Sequence, residues 1–299
     1  MRHGLIAACL LPLFGAAQTV DIRVDTTLVV VPVTVTDATN RFVLGLEKGD
    51  FEILEDGTAQ KITHFSGEDA PISIGLLIDT SGSMTMKLDT SRKAVEELLK
   101  TLNAQDEAFL VAFSDHAQLV QGFSDRVEDV QKGLGSLQTG GLTALLDAVN
   151  LGISEMKKAK NPRKALVVIS DGGDNNSRYS QEEIRNIVRE ADVQLYAMGV
   201  FEPSLFPSLS KEEVSGPKLL SQISEQTGGR AFGASESDQL PGIAEKIAIE
   251  LHNEYSLAYS PTNAERDGKY RKIEVRLKQP KGLPDLKARW RSGYYAPSE

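Results

Sequence analysis

The chain has 299 residues, enough for one large domain or for a medium domain with a smaller companion. Its formal charge of −9 and pI near 5.1 come with no basic stripe, which excludes nucleic acid as a partner because nothing would neutralise the phosphates. Cys9 is the single cysteine, so a disulfide framework and zinc–thiolate chemistry are excluded as well.

Residues 1–17 read as an export signal. Arg2 and His3 open it, Leu5 to Phe14 form an apolar core, and Gly15-Ala16-Ala17 supply a small-residue cleavage site before Gln18. Ile6-Ala7-Ala8-Cys9 has the outline of a lipoprotein processing box, but an apolar stretch follows the cut it would specify. Cleavage at Ala17 removes Cys9. No other apolar run approaches the roughly 18 residues needed to span a bilayer. The expected product is therefore exported, periplasmic or extracellular, without a transmembrane segment after cleavage.

Residues 18–70 carry alternating β patterns and no helical periodicity. Thr27 to Thr36 reads as a long strand ending in a turn at Asp37-Ala38-Thr39-Asn40. Phe51 to Glu55 is a second strand, Asp56-Gly57 a tight turn, and Gln60 to Phe65 its expected hairpin partner.

From Pro71 the pattern changes to alternating strands and helices. Ile72 to Ile78 is an apolar run with the length and branching of a buried strand, and Leu88 to Leu102 carries a helical stripe. Strands follow at 108–113, 117–123, 165–169 and 193–200, with a short one at 230–232. Helices are expected at 127–137, 144–156, 181–190, 218–227 and 237–250. Such alternation over about 180 residues implies a mostly parallel sheet covered on both faces. Residues 253–297 return to β, with strands at 255–259, 270–278 and 286–291 and an aromatic end, Gly293-Tyr294-Tyr295-Ala296-Pro297. Neither flank alone offers enough strands for a core. The economical reading pairs 18–70 with 253–299 as one small all-β sandwich, into which the α/β domain, 71–252, is inserted.

The chemistry is concentrated at Asp79-Thr80-Ser81-Gly82-Ser83, directly after the first strand of the α/β segment. Asp-x-Ser-x-Ser sends one carboxylate and two hydroxyls out at spacing i, i+2, i+4, and on an extended chain these face the same way. One anionic and two neutral oxygens suit Mg²⁺, Mn²⁺ or Ca²⁺ and suit Zn²⁺ poorly. The set leaves a metal short of negative charge and ready to take a further carboxylate. Thr143 lies in a glycine-rich turn at the head of a helix, near the surface, where its hydroxyl could also cap that helix. Asp171 follows the buried run Ala165 to Ser170 and precedes Gly172-Gly173. Asp79 and Asp171 thus fall at carboxyl ends of strands, where open α/β sheets bind ligands.

Asp-x-Ser-x-Ser, then a Thr about sixty residues on, then Asp-Gly after a later strand, resembles the metal-ion-dependent adhesion site of the von Willebrand factor A domain family. The resemblance implies a doubly wound, Rossmann-like α/β fold. It also implies direct metal ligation by Ser81, Ser83 and Thr143, with Asp79 and Asp171 acting largely through ordered water. A protein partner would complete the metal with an Asp or Glu. Met84, Met86, His116, Leu142 and Asn175 are the expected rim that selects this partner, the two methionines as an adaptable apolar edge. The flanks, with the Gly-Tyr-Tyr-Ala-Pro end, resemble bacterial exported proteins of the same group.

Enzymatic readings are weaker. Asp79 lacks the second carboxylate two residues on that a phosphatase nucleophile wants, since Ser81 stands there. Asp174 near Asp171 reads as part of a polar loop rather than a glycosidase pair. His64, His116 and His252 lack a triad context, and Gly140-Gly141 has no Lys-Ser/Thr after it, so it is not a phosphate-binding loop. The expectation is a non-enzymatic binding and adhesion module. The alternatives are a hydrolase using a metal-bound or histidine-activated site, a metal-free structural protein of the envelope, and, against the export signal, a subunit of an intracellular ATP-driven assembly.

Overall fold

A computed structural model describes residues 28–200, 211–278 and 285–298; the expected export segment, with Cys9, lies outside them. The first strand, β1 (Val29–Thr36), alternates buried and open positions and then buries completely, with Val31 and Val33 fully enclosed. Pro32 stands opposite Ser256 on one side, while the neighbour on the other side pairs only from Val33 onward, which leaves the proline at the end of that second ladder. The next strand, β2 (Phe51–Glu55), turns through Asp56 and Gly57, both with positive φ, into β3 (Thr58–Gln60).

The hairpin differs from the sequence reading. Only Thr58–Gln60 answers β2; β4 (Ile62–Ser66) belongs to the opposite sheet. Gln60 stabilises the crossing point, donating to Thr262 Oγ1 at 3.0 Å and accepting from Thr262 N at 3.0 Å.

The α/β segment begins with β5 (Ile72–Asp79), buried along its whole length. It continues through α1 (Leu88–Leu99), β6 (Glu107–Phe113), β7 (Ala117–Ser124), α2 (Val127–Gly135), α3 (Leu145–Met156) and β8 (Arg163–Ser170). Then come α4 (Gln181–Glu190), β9 (Gln194–Val200), α5 (Lys211–Glu225), β10 (Ala231–Ala234) and α6 (Leu240–His252). The sheet order is β10-β9-β8-β5-β6-β7, parallel except for β7. One face packs on α1, α2 and α6 through Val95, Leu98, Leu134 and Ile247; the other packs on α3, α4 and α5 through Val149, Ile184 and Leu220. β6 and β8 leave β5 in opposite directions, so the topological switch point lies between β5 and β8. Crevices that hold ligands open there, beyond the carboxyl ends.

The chain closes with β11 (Tyr255–Tyr259), β12 (Tyr270–Leu277), β13 (Lys287–Trp290) and β14 (Gly293–Tyr295). Two antiparallel sheets result, β13-β1-β11-β4 and β14-β12-β2-β3, each built from both ends of the chain. Val31, Val33, Ile53, Leu257 and Tyr259 form the core between them. The Tyr259 and Tyr294 hydroxyls both donate to Glu55 Oε2, at 2.7 and 2.9 Å. Burial, with the Glu55 carboxylate as acceptor, pushes both phenols far above their ordinary range.

At the joint between sandwich and α/β sheet lies a buried polar network. Glu250 of α6 pairs with Arg230 and with Arg289 of β13, each at 3.0 Å. Glu254 accepts from Gln194 at 2.7 Å and Tyr196 at 3.2 Å, and pairs with Arg163 at 3.3 Å. Burial pushes the Glu254 carboxyl up in spite of that arginine. His252 sits in the same joint with its Nδ1 3.0 Å from Asp69. His64 is exposed on β4. A small cavity lined by Arg163, Gln194, Glu254 and Arg291 occupies the joint, at the end of the sheet opposite to Asp79.

Candidate metal centre

Asp79 is the last residue of β5 and is fully buried. The extended-strand argument holds only that far. Ser81 is extended, but Gly82–Met84 is a 3₁₀ turn, so a bend in the chain brings the second hydroxyl back to the first. Ser81 Oγ and Ser83 Oγ lie 3.1 Å apart, the former buried and the latter exposed. Both Asp79 oxygens are engaged: Oδ1 accepts the Ser81 N–H at 2.8 Å, and Oδ2 accepts the Ser170 hydroxyl at 2.6 Å. Ser170 ends β8, next to Asp171, and the strand register sets it beside Asp79.

Four loops are laced together around these residues. Thr80 N donates to Phe113 O at 2.8 Å, Gly140 N to Thr80 O at 2.8 Å, and Gly82 N to Gly141 O at 3.1 Å. Gly141 has φ near 83°, and a Cβ there would stand 2.7 Å from the Asp115 carboxyl. Only glycine fits that position. The Asp115 carboxylate in turn accepts Leu142 N at 2.8 Å. Thr143 is clamped from both sides: its N–H donates to Asn175 Oδ1 at 2.9 Å, and its carbonyl accepts the N–H groups of Asn175 and Asn176 at 3.0 Å each. Asp147 of α3 completes the fourth loop by accepting from Arg178 N at 2.9 Å and Nε at 3.0 Å.

Thr143 departs from its expected setting. It is buried, and Ala144, not Thr143, stands at the cap of α3 with no side-chain bond. Among the expected rim residues, Met84 is fully buried and packs in the core under α1, so it forms no part of a rim. The 3₁₀ turn explains this: it rotates Met84 inward and leaves Met86 outside, 88% exposed. Leu142 is 49% exposed, and His116 and Asn175 are exposed. Asn175 already serves the Thr143 loop. His116 lines a cavity of about 330 Å³ beside the site, with Thr80, Ser114 and Gln138.

Burial pushes Asp79 up to about 6; the hydrogen bonds from Ser170 and Ser81 oppose that shift, and the negative charge of Asp171 adds to it. Asp171 is mostly buried, accepts Gly173 N at 3.3 Å, and lies 3.7 Å from Lys87 Nζ. Two carboxylates and neighbouring hydroxyls form a hard-oxygen donor set, and no group of three or more His, Cys, Asp or Glu among the described residues is placed to hold a metal ion by itself. The donor set fits Mg²⁺, Mn²⁺ or Ca²⁺ rather than a thiolate- or imidazole-seeking metal. Sequence reasoning missed Ser170 and Lys87. The parallel register of β5 and β8 was the one available signal for Ser170.

The likeness to known proteins agrees with this geometry. Residues 74–173 match the von Willebrand factor type A domain model. The chain carries a von Willebrand factor type A domain. An uncharacterized protein of Borreliella burgdorferi is 25% identical over 197 residues, covering 59% of this chain and 57% of that one. Inter-alpha-trypsin inhibitor heavy chain H3 of Homo sapiens is 25% identical over 211 residues, covering 65% of this chain and 23% of that one. The chain therefore spans between about a quarter and just over half of these relatives. A solved structure, the von Willebrand factor type A protein from Catenulispora acidiphila, superposes with a TM-score of 0.52 at 11% identity, over 90% of this chain and 75% of that one. That likeness is one of fold, and it extends past the type A domain into the flanking sheets. No helix among the described residues is long and apolar enough to cross a membrane.

Proposed function

We propose that the protein is a non-enzymatic binding module that captures an acidic side chain of a protein partner through one divalent cation, Mg²⁺ or a similar hard ion. Ser81, Ser83 and Thr143 would hold the ion, and Asp79 and Asp171 would support it from behind. The observation that carries this reading is the meeting of the two serine hydroxyls at 3.1 Å beside the buried carboxylate of Asp79, at the switch point of the sheet.

A bound dication supplies a strong, localised positive charge, which a partner carboxylate satisfies better than water does where the dielectric is low. The chain's own contribution is to hold its oxygens ready. The four laced loops fix them before any ligand arrives, so little ordering cost remains at binding. Met86 and Leu142 leave apolar surface next to the site for a partner to cover. The inserted arrangement joins the type A domain to the sandwich at the end of the sheet away from the site, leaving the site open.

The place of action we propose is outside the cytoplasm, following the export signal read in residues 1–17, with domain limits at 18–70, 71–252 and 253–299. The test is capture of partners from extracytoplasmic extracts with and without chelator, compared with Asp79→Ala. Capture by wild type that disappears with chelator and with the variant supports the reading. Hydrolytic turnover that survives chelation and follows a His116 variant would replace it with an enzyme.

A further inference from the structure

We infer that Lys87 sets the charge of the metal centre, lowering its affinity for the cation and raising the loaded site's affinity for an anionic ligand. The inference rests on the proposed metal-binding reading and adds a residue that the Asp-x-Ser-x-Ser pattern does not contain.

Lys87 stands immediately before α1, and the chain fixes it there. Its N–H donates to Met84 O at 2.9 Å, closing the turn that follows Ser83, and its carbonyl accepts Ser91 N at 2.9 Å and Ser91 Oγ at 3.0 Å. From this anchor the side chain runs inward, only 14% exposed, across the carboxyl ends of two strands. Nζ reaches Val200 O at the end of β9 at 3.4 Å, and Asp171 Oδ2 just beyond the end of β8 at 3.7 Å. Asp171 is itself only 12% exposed. A largely dehydrated ammonium therefore lies against one of the two carboxylates proposed to serve the cation.

Screening by water is weak at such a place, so the charge acts on its neighbours. It competes with the cation for Asp171 and repels it directly. Once a dication is bound, two carboxylates, one ammonium and the dication leave the centre with one net positive charge. Without the ammonium the centre would be neutral. The same residue thus opposes metal binding and favours capture of a carboxylate. A residue that only props up the loop would change both in the same direction.

The test uses the full mature chain and its Lys87→Met, Lys87→Gln and Lys87→Arg variants, with folding checked by thermal melts. Mn²⁺ binding is read by electron paramagnetic resonance, and acetate binding to the Mn²⁺-loaded protein by paramagnetic broadening of the acetate signal. Neutral variants should bind Mn²⁺ at least about fivefold more tightly and acetate at least about threefold more weakly at low salt, with both differences shrinking at high salt. Lys87→Arg should behave like wild type. Equal Mn²⁺ affinity in wild type and a folded neutral variant overturns the role of Lys87 alone, as does a parallel loss of both ligands. Absence of Mn²⁺ binding by wild type overturns the metal reading and this inference together.

Discussion

Asp79 and Ser170 meet at the ends of the two central strands, the serine hydroxyl donating to Asp79 Oδ2 at 2.6 Å across 91 residues of sequence. This bond ties the first strand of the type A domain to the strand that delivers Asp171. Ser170→Ala should leave one oxygen of a buried carboxylate without its partner. The expected loss is about 1–3 kcal/mol in the metal-free protein, measured by urea denaturation. An unchanged midpoint would show that the bond is not maintained in solution.

Thr143→Ala separates ligation from stability. The hydroxyl does not cap α3, so the variant should unfold within about 1 kcal/mol of wild type, less than a lost cap costs. Its affinity for Mg²⁺ should nevertheless fall steeply, and Thr143→Ser, which keeps the oxygen, should recover most of it. Calorimetry decides; equal metal affinity in Thr143→Ala would remove Thr143 from the proposed ligand set.

The shifted carboxyl of Asp79 gives the metal-stripped protein a pH signature. Its folded value, about 6, lies above the ordinary 3.8, chiefly because it is buried. The folded state therefore holds this proton more tightly than the unfolded chain. The corresponding stability is fully present below about pH 4 and is lost as pH rises through about 6. Stability of the stripped protein should fall across that window by an amount on the order of 3 kcal/mol, and Asp79→Asn should flatten the profile. Parallel profiles for wild type and variant would contradict the shift.

Gly141→Ala tests the lacing of the loops. An alanine there faces both a positive φ and the Asp115 carboxyl at 2.7 Å, so the Leu142–Thr143 segment must lift. The expected cost is about 1–3 kcal/mol, with weaker metal binding although no proposed ligand is altered. Heat-denaturation and calorimetry on the same sample check both halves. Wild-type behaviour in both would mean that the loop does not depend on this contact.

The architecture and the place of the site were legible because both follow from local pattern. Ile72 to Ile78 could only be a buried strand, and its end could only lie at the ligand-binding edge of a parallel sheet. The bend after Ser81 was not legible, because a 3₁₀ turn of three residues leaves no periodicity. That one turn buries Met84 and exposes Met86. The split between Thr58–Gln60 and Ile62–Ser66 was hidden for a related reason: both pieces alternate correctly, and only long-range pairing with β11 separates them. Lys87 looked like an ordinary helix-start residue, since its acceptors, Asp171 and Val200, lie 84 and 113 residues away.

Glu250 probes how the sandwich and the type A domain are joined. It is fully buried between Arg230 and Arg289. Glu250→Ala would leave two guanidinium groups without their shared partner, at an expected cost of about 3–5 kcal/mol. Under limited proteolysis the variant should release the type A domain sooner than wild type does, by cuts near Pro71 and Asn253, while the two β flanks stay associated. Flanks that separate under native conditions would contradict their common sandwich.

The most direct test of the central proposal is a calorimetric titration of the mature, metal-stripped protein with Mg²⁺ and Mn²⁺, run beside Asp79→Ala. A single saturable site in wild type, absent in the variant, is the expected result. Equal titrations for the two proteins, or no heat from either ion at millimolar concentration, would contradict it.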